Sequence, residues 1–232
     1  MNPFVCAFAS LMAWSAPLAL AQAHCSSDGT PAPAALFERF ISADCEACWS
    51  DPATPAPGPS ALVLDWLVPG TLGDEAPLSA AATRDALDRL ASLGRTPPVG
   101  TDVHTAPVHG RPAVQLRVGL GPAVNDYVGA TMAFSTAPVA ARRPQAWTYY
   151  LLLVETLPAG TEGTAVTRYL VRNMLEGLWT ERDKLSNREH PAWSELRPMR
   201  IADGARPERL RAVGWVQDAQ GRVVAAAQSV CR

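Results

Sequence analysis

Leu36-Phe37-Glu38-Arg39-Phe40-Ile41-Ser42-Ala43-Asp44-Cys45-Glu46-Ala47-Cys48 runs through Trp49 into Ser50-Asp51-Pro52-Ala53-Thr54-Pro55-Ala56-Pro57-Gly58-Pro59-Ser60. An apolar run, two closely spaced thiols and a proline cluster follow one another. Cysteines at this spacing close a small disulfide or bind a soft metal, and little else needs the pattern. The spacing of the apolar run fits a helical face as well as a short buried strand. The four prolines exclude a regular helix over residues 50–60, because each removes a backbone donor and restricts the residue before it.

The N-terminus sets the expected compartment. Residues 4–20 are mostly apolar and small, and they end in Ala21-Gln22-Ala23, an A-x-A cleavage pattern. No Lys or Arg precedes the apolar run. The run is near the short end for crossing a bilayer. The reading is a signal peptide over residues 1–23, no stable membrane span after its removal, and a periplasmic or secreted protein. Cleavage after Ala23 removes Cys6 and leaves Cys25, Cys45, Cys48 and Cys231. Four cysteines outside the cytosol imply two disulfides, with three possible connectivities. The simplest is Cys45–Cys48 with a structural Cys25–Cys231 bond joining the mature ends.

Of the 232 residues, 48% are apolar, enough to bury a core. A net charge of −2 gives no electrostatic reason to expect nucleic acid or anionic lipid as a partner. Ala61–Val68 (ALVLDWLV) reads as a buried strand. Ser79 is placed to cap a helix running to about Leu93, with Gly94 as its stop. From about residue 110 the period changes to two. Val114, Leu116, Val118 and Leu120 alternate with smaller or polar residues, and Val128 to Phe134 repeats the pattern after a turn signal at Gly121-Pro122. Trp147 to Thr156 reads as a central strand. Thr164 to Trp179 fits a strand with a short helix, or one helix. Glu181 to His190 reads as a charged loop. Leu210 to Val216 and Arg222 to Val230 read as a β-hairpin.

Several of these segments together resemble a bacterial family of secreted thioredoxin-like proteins catalogued as a domain of unknown function. Leu36 to Cys48 looks like the family's first strand and its Cys-x-x-Cys. Leu64-Asp65-Trp66 looks like the end of the second strand, and Thr96-Pro97-Pro98-Val99 like the loop that holds a cis-proline beside the dithiol. Tyr150 to Glu155, Leu170-Val171-Arg172 and Val213 to Asp218 look like strands of a β-rich C-terminal part. The resemblance covers about residues 34–230. It favours a strand over Ala35–Ser42. It implies an α/β thioredoxin-like N-terminal part over residues 24–105, followed by a mainly antiparallel β-sandwich-like part over residues 106–232. Two departures stand out. Trp49 occupies the family's usual proline position, and the proline cluster cuts the first helix to about one turn.

Read this way, Cys45 is the attacking thiol and Cys48 the resolving one, with Thr96 and Pro97 bordering a groove for a protein thiol or disulfide substrate. A thiolate is the attacking species. Asp44 and Glu46 beside Cys45 raise its pKa, so the expected nucleophile is sluggish. The alternative is a non-catalytic envelope or protein-binding module with structural disulfides. Cys45 and Cys48 with His104 or His109 make a third, metal-binding arrangement that an oxidising compartment disfavours; neither a metal nor a cofactor is expected. No G-x-S-x-G elbow, Walker loop or H-E-x-x-H is present. Trp147, Tyr149 and Tyr150 read as sheet-face packing rather than a stacking platform.

Overall fold

The computed structural model describes residues 25–110, 114–136, 146–185 and 192–231. The signal-peptide reading therefore lies outside the described residues, as do residues 186–190 of the loop read over Glu181 to His190, whose start forms a 3-10 turn over Glu181–Asp183. Among the described residues there are twelve strands and two α-helices. The strands are β1 (Cys25–Ser26), β2 (Ala35–Ser42), β3 (Ala61–Val68), β4 (Thr101–Pro107), β5 (Gln115–Val124), β6 (Tyr127–Ser135), β7 (Trp147–Leu157), β8 (Arg168–Trp179), β9 (Ala192–Arg200), β10 (Leu210–Gln217), β11 (Val223–Gln228) and β12 (Val230–Cys231). The helices are α1 (Glu46–Ser50) and α2 (Arg84–Ser92).

These strands form two sheets, a five-stranded one ordered β12-β1-β5-β6-β9 and a seven-stranded one ordered β11-β10-β7-β8-β3-β2-β4. Strands β2, β3 and β8 run parallel; the other pairs are antiparallel. This overturns the expected α/β thioredoxin-like fold. Helix is confined to segments of five and nine residues. Strands β2, β3 and β4 do not close a sheet of their own. They continue, through Asp65 opposite Leu170, into β8, β7, β10 and β11. The sheet thus crosses the division placed near residue 105. The physical reason lies in the prolines. With α1 stopped at Ser50, only a five-residue helix packs, through Trp49, on that face of β2, β3 and β8.

Alternation along the strands sends side chains to two faces of the large sheet. One face carries Phe40, Trp66, Leu152, Val154, Val213 and Trp215 beneath Ala86 and Leu90 of α2. Phe40 stacks on Trp66 and Tyr150 on Trp215. The opposite face is shared. At β7 and β10 it meets the five-stranded sheet through Phe134, Trp147, Tyr149, Trp179 and Trp193. Their ring centroids lie 4.2–6.2 Å apart. At β2, β3 and β8 it meets α1 through Ile41, Trp49, Leu67, Leu157 and Leu170. Trp147 and Tyr149 thus pack on one face and Tyr150 on the other, as core residues.

Three local expectations are corrected. Thr83, not Ser79, caps α2, its hydroxyl accepting the Ala86 N–H, and Ser79–Ala81 is a separate 3-10 turn. Gly121-Pro122 lies within β5 at a register shift. The turn to β6 is made instead by Asn125 and Asp126, at φ +46° and +62°, which these two side chains tolerate. Thr164 to Trp179 forms no helix; from Arg168 onward it is strand β8.

Candidate functional site

The Cys-x-x-Cys lies where β2 ends, at the end of the large sheet where the parallel β3 also stops. Cys45 and Cys48 are disulfide-bonded, and so are Cys25 and Cys231. Of the three connectivities the sequence allowed, the simplest is the one found. Cys45 and Cys48 are both half-buried, and the Cys48 backbone N–H donates to Cys45 Sγ at 3.2 Å.

Asp44, next to Cys45 in sequence, is hydrogen-bonded to the loop after β3. Its carboxylate accepts from the Thr71 N–H at 2.7 Å, the Thr71 hydroxyl at 3.0 Å and the Leu72 N–H at 3.3 Å. It is spent on pinning the loop after β3. Gly70 permits this, since a Cβ there would fall on the Asp44 carboxyl group. Glu46 is exposed and points to no ionic partner among the described residues.

Thr96 and Pro97 are exposed. The described residues contain no cis peptide bond, so the expected cis-proline beside the dithiol is corrected to a trans one. The neighbour of the pair from that loop is Gly100. Its carbonyl accepts the Ser42 N–H at 2.9 Å, and a Cβ on it would lie 3.4 Å from Cys48 Sγ. Val99, 95% exposed, and Leu72, 53% exposed, are the large apolar side chains of this end.

Beneath the pair lies a buried ionic cluster that sequence reasoning missed. Arg39 of β2 grips Asp65 of β3 with two bonds of 2.6 and 3.1 Å and donates to the Pro55 carbonyl at 2.8 Å. The Tyr169 N–H donates to the same Asp65 at 2.6 Å. Arg168, fully buried, lies 3.6 Å from Asp65 and stacks over the Trp49 ring. It donates to the carbonyls of Cys48 and Trp49 at 3.3 and 2.7 Å, and to the hydroxyls of Thr54 and Thr164. Two guanidiniums share one buried carboxylate, and the exposed Asp51 adds a weaker attraction on Arg168. Burial pulls the Arg168 pKa down, and Asp65 opposes that. Trp49 completes the lock, donating its indole N–H to the Glu162 carbonyl at 2.8 Å. The signal was present: Glu38, Arg39 and Asp65 interrupt apolar strands, and charges in such runs need buried partners. Glu38 finds its own in Arg89 of α2, through bonds of 2.9 and 2.7 Å.

His104 stands on β4 opposite Glu38, and the His109 N–H donates to the Val223 carbonyl. No cluster of three or more His, Cys, Asp or Glu side chains able to hold a metal forms among the described residues. No helix among them is long and apolar enough to cross a membrane.

Fold and site together define a class: a two-sheet, β-rich protein stapled by two disulfides, with one bond at a half-exposed tip over a buried charge cluster. No protein-family profile and no curated protein matches the chain. Among solved structures it is similar to HBP35 of Porphyromonas gingivalis, with a TM-score of 0.50 and 10% identity, over 86% of this chain and 76% of that one. At that identity the likeness is one of fold alone, and a β-rich fold agrees with the correction above.

Proposed function

We propose that the chain is an exported, non-catalytic protein-binding module in which both disulfides are structural. The observation that carries this reading is the anchoring of the Cys45–Cys48 turn from below. Buried Arg168 holds the carbonyls of Cys48 and Trp49, Trp49 is itself buried and bonded to Glu162, and the prolines of 50–60 are tied to the same cluster through Pro55. A disulfide in so fixed a turn braces the end of the sheet. Two such bonds persist in oxidising compartments, which supports a place outside the cytosol.

One observation favours the rival reading, thiol–disulfide exchange with a protein substrate. The N–H already aimed at Cys45 Sγ would stabilise a thiolate there once the bond is reduced. In that chemistry the Cys45 thiolate attacks a substrate disulfide, releasing one substrate thiolate. Cys48 then displaces the other and restores the ring disulfide.

Cys48→Ser separates the two. Exchange would accumulate a mixed disulfide between Cys45 and its substrate in the envelope, released by a dithiol reductant. The structural reading expects an empty trap, a Cys45–Cys48 potential below about −300 mV, and unchanged partner capture by the Cys45→Ser/Cys48→Ser protein. A reductant-labile adduct sinks it.

A further inference from the structure

Strand β4 is an edge of the large sheet and pairs with β2 alone. The Gly100 carbonyl and the Val108 N–H bond toward β2, to Ser42 and Ala34. By the two-residue period, Thr101, Val103 and Thr105 turn their backbone groups outward. At Val103 both groups are already occupied. Its N–H donates to Asp102 Oδ1 at 2.9 Å, and its carbonyl accepts from Arg95 Nη1 at 2.9 Å. Arg95 Nη2 closes the ring on Asp102 Oδ1 at 2.8 Å. One side-chain pair, anchored just beyond the Gly94 stop of α2, thus satisfies the rung that a neighbouring strand would satisfy. Thr101 and Thr105 on either side are exposed, and Pro107 ends the edge because it lacks an N–H.

We propose that β4 is a docking strand capped by the Arg95–Asp102 pair, and that the strand it accepts when the cap opens is β4 of a second copy. Two features of the edge fit that occupant. The outward rungs are symmetric about Val103, so an antiparallel copy sets Val103 against its mate and Thr101 against Thr105, as a two-fold interface requires. The same register sets Asp102 against the other copy's His104 twice, so that on one face each carboxylate meets an imidazole N–H able to donate to it. An unguarded edge is a template for such pairing, and charged side chains are the usual guard. The pair is only about one-third exposed, at 32% for Arg95 and 31% for Asp102, so it is shielded from water but within reach of a competing strand.

Arg95→Ala frees the Val103 carbonyl and releases Asp102 from its ion pair, so that its carboxylate can leave the Val103 N–H for the other copy's His104. Sedimentation at up to about 100 µM protein reads the result. The wild type is expected at the mass of one chain and Arg95→Ala at the mass of two, with exchange protection newly acquired at the Thr101 and Thr105 amides. Arg95→Ala/Thr105→Pro removes one outward N–H without touching the bonds to β2, and it is expected to return to one chain. A melting curve checks that each variant is folded, and Arg95→Gln replaces Arg95→Ala if it is not. The inference is overturned if Arg95→Ala sediments as the wild type does, or if adding Thr105→Pro leaves its association unchanged. A wild type that already pairs through β4 overturns it too.

Discussion

Arg168 and Asp65 place unequal demands on the buried cluster, and the inequality is testable. Removing Asp65 leaves two guanidiniums, those of Arg39 and Arg168, in the interior with no carboxylate gripping them. Breaking one buried pair in this way costs about 3–5 kcal/mol. Removing Arg168 instead takes away the second cation and leaves Arg39 and Asp65 satisfied by each other. What is lost is a set of donors to the Cys48 and Trp49 carbonyls and the stacking on Trp49. Each deserted carbonyl costs about 1–3 kcal/mol, less what water recovers. We therefore expect Asp65→Asn to destabilise more than Arg168→Met at pH 7, by urea denaturation. The reverse order would mean that the tether to the disulfide turn outweighs the charge balance. Little of this was legible in sequence. Arg168 follows a run of threonines and glycines that carries no period, and apart from Thr164 its partners lie more than a hundred residues away. The part Asp44 plays in the fold was equally hidden. Adjacency in sequence placed that carboxylate beside Cys45, whereas its three hydrogen bonds draw it to Thr71 and Leu72.

At the scale of elements, legibility followed how local each signal is. Strands β3, β5, β6 and β7 and the β10–β11 hairpin were readable from their apolar content or two-residue period, whereas β2, interrupted by Glu38 and Arg39, fitted helix and strand alike until the resemblance favoured a strand. Strand β8 was not readable, because Arg172 is an extra residue there: Leu153 faces Asn173 while Val154 faces Val171. That bulge puts Val171 and Met174 on one face at a three-residue interval, which imitates a helix. Strand β4 has no apolar period at all and exists because β2 offers it an edge. Its attachment should also depend on pH. His104 faces Glu38 across that ladder, near Arg89, Arg95 and Asp102. Burial lowers its pKa from the ordinary 6.5; Arg89 and Arg95 add to this, and Glu38 and Asp102 oppose it. The folded protein therefore holds the ring neutral where the unfolded chain begins to protonate it. The resulting stability is complete above about pH 6.5 and is lost as pH falls toward the folded-state value. The melting temperature should fall between pH 7.5 and 5.5, above the range where most carboxylates titrate. His104→Asn should flatten that part of the profile, and an unchanged slope would remove His104 as its source.

For the whole molecule, the two disulfides should differ in kind. Cys45 and Cys48 are three residues apart, and closing so small a ring restrains the unfolded chain by about 2 kcal/mol in the chain-entropy model. Cys25 and Cys231 are 206 residues apart, and the same model gives about 5 kcal/mol. The native contacts near the second bond do not depend on it. Ser27 exchanges two backbone bonds' worth of contact with Val118, one through its N–H and one through its hydroxyl, and Arg117 pairs with Asp28. Cutting the bond thus leaves β1 on β5 and frees mainly the two residues of β12. The effect should lie in the unfolded state, which becomes longer and exposes more surface. Cys25→Ser/Cys231→Ser should keep the native spectrum, lose stability by a few kcal/mol and show a larger denaturant slope, since that slope scales with surface exposed on unfolding. At this chain length each kcal/mol corresponds to about 2–4 °C in melting temperature. Cys45→Ser/Cys48→Ser should lose less and leave the slope unchanged. If the tip pair proves the costlier one to remove, chain entropy is not its main contribution, and the bond must be holding the Arg168 anchorage together in the folded state.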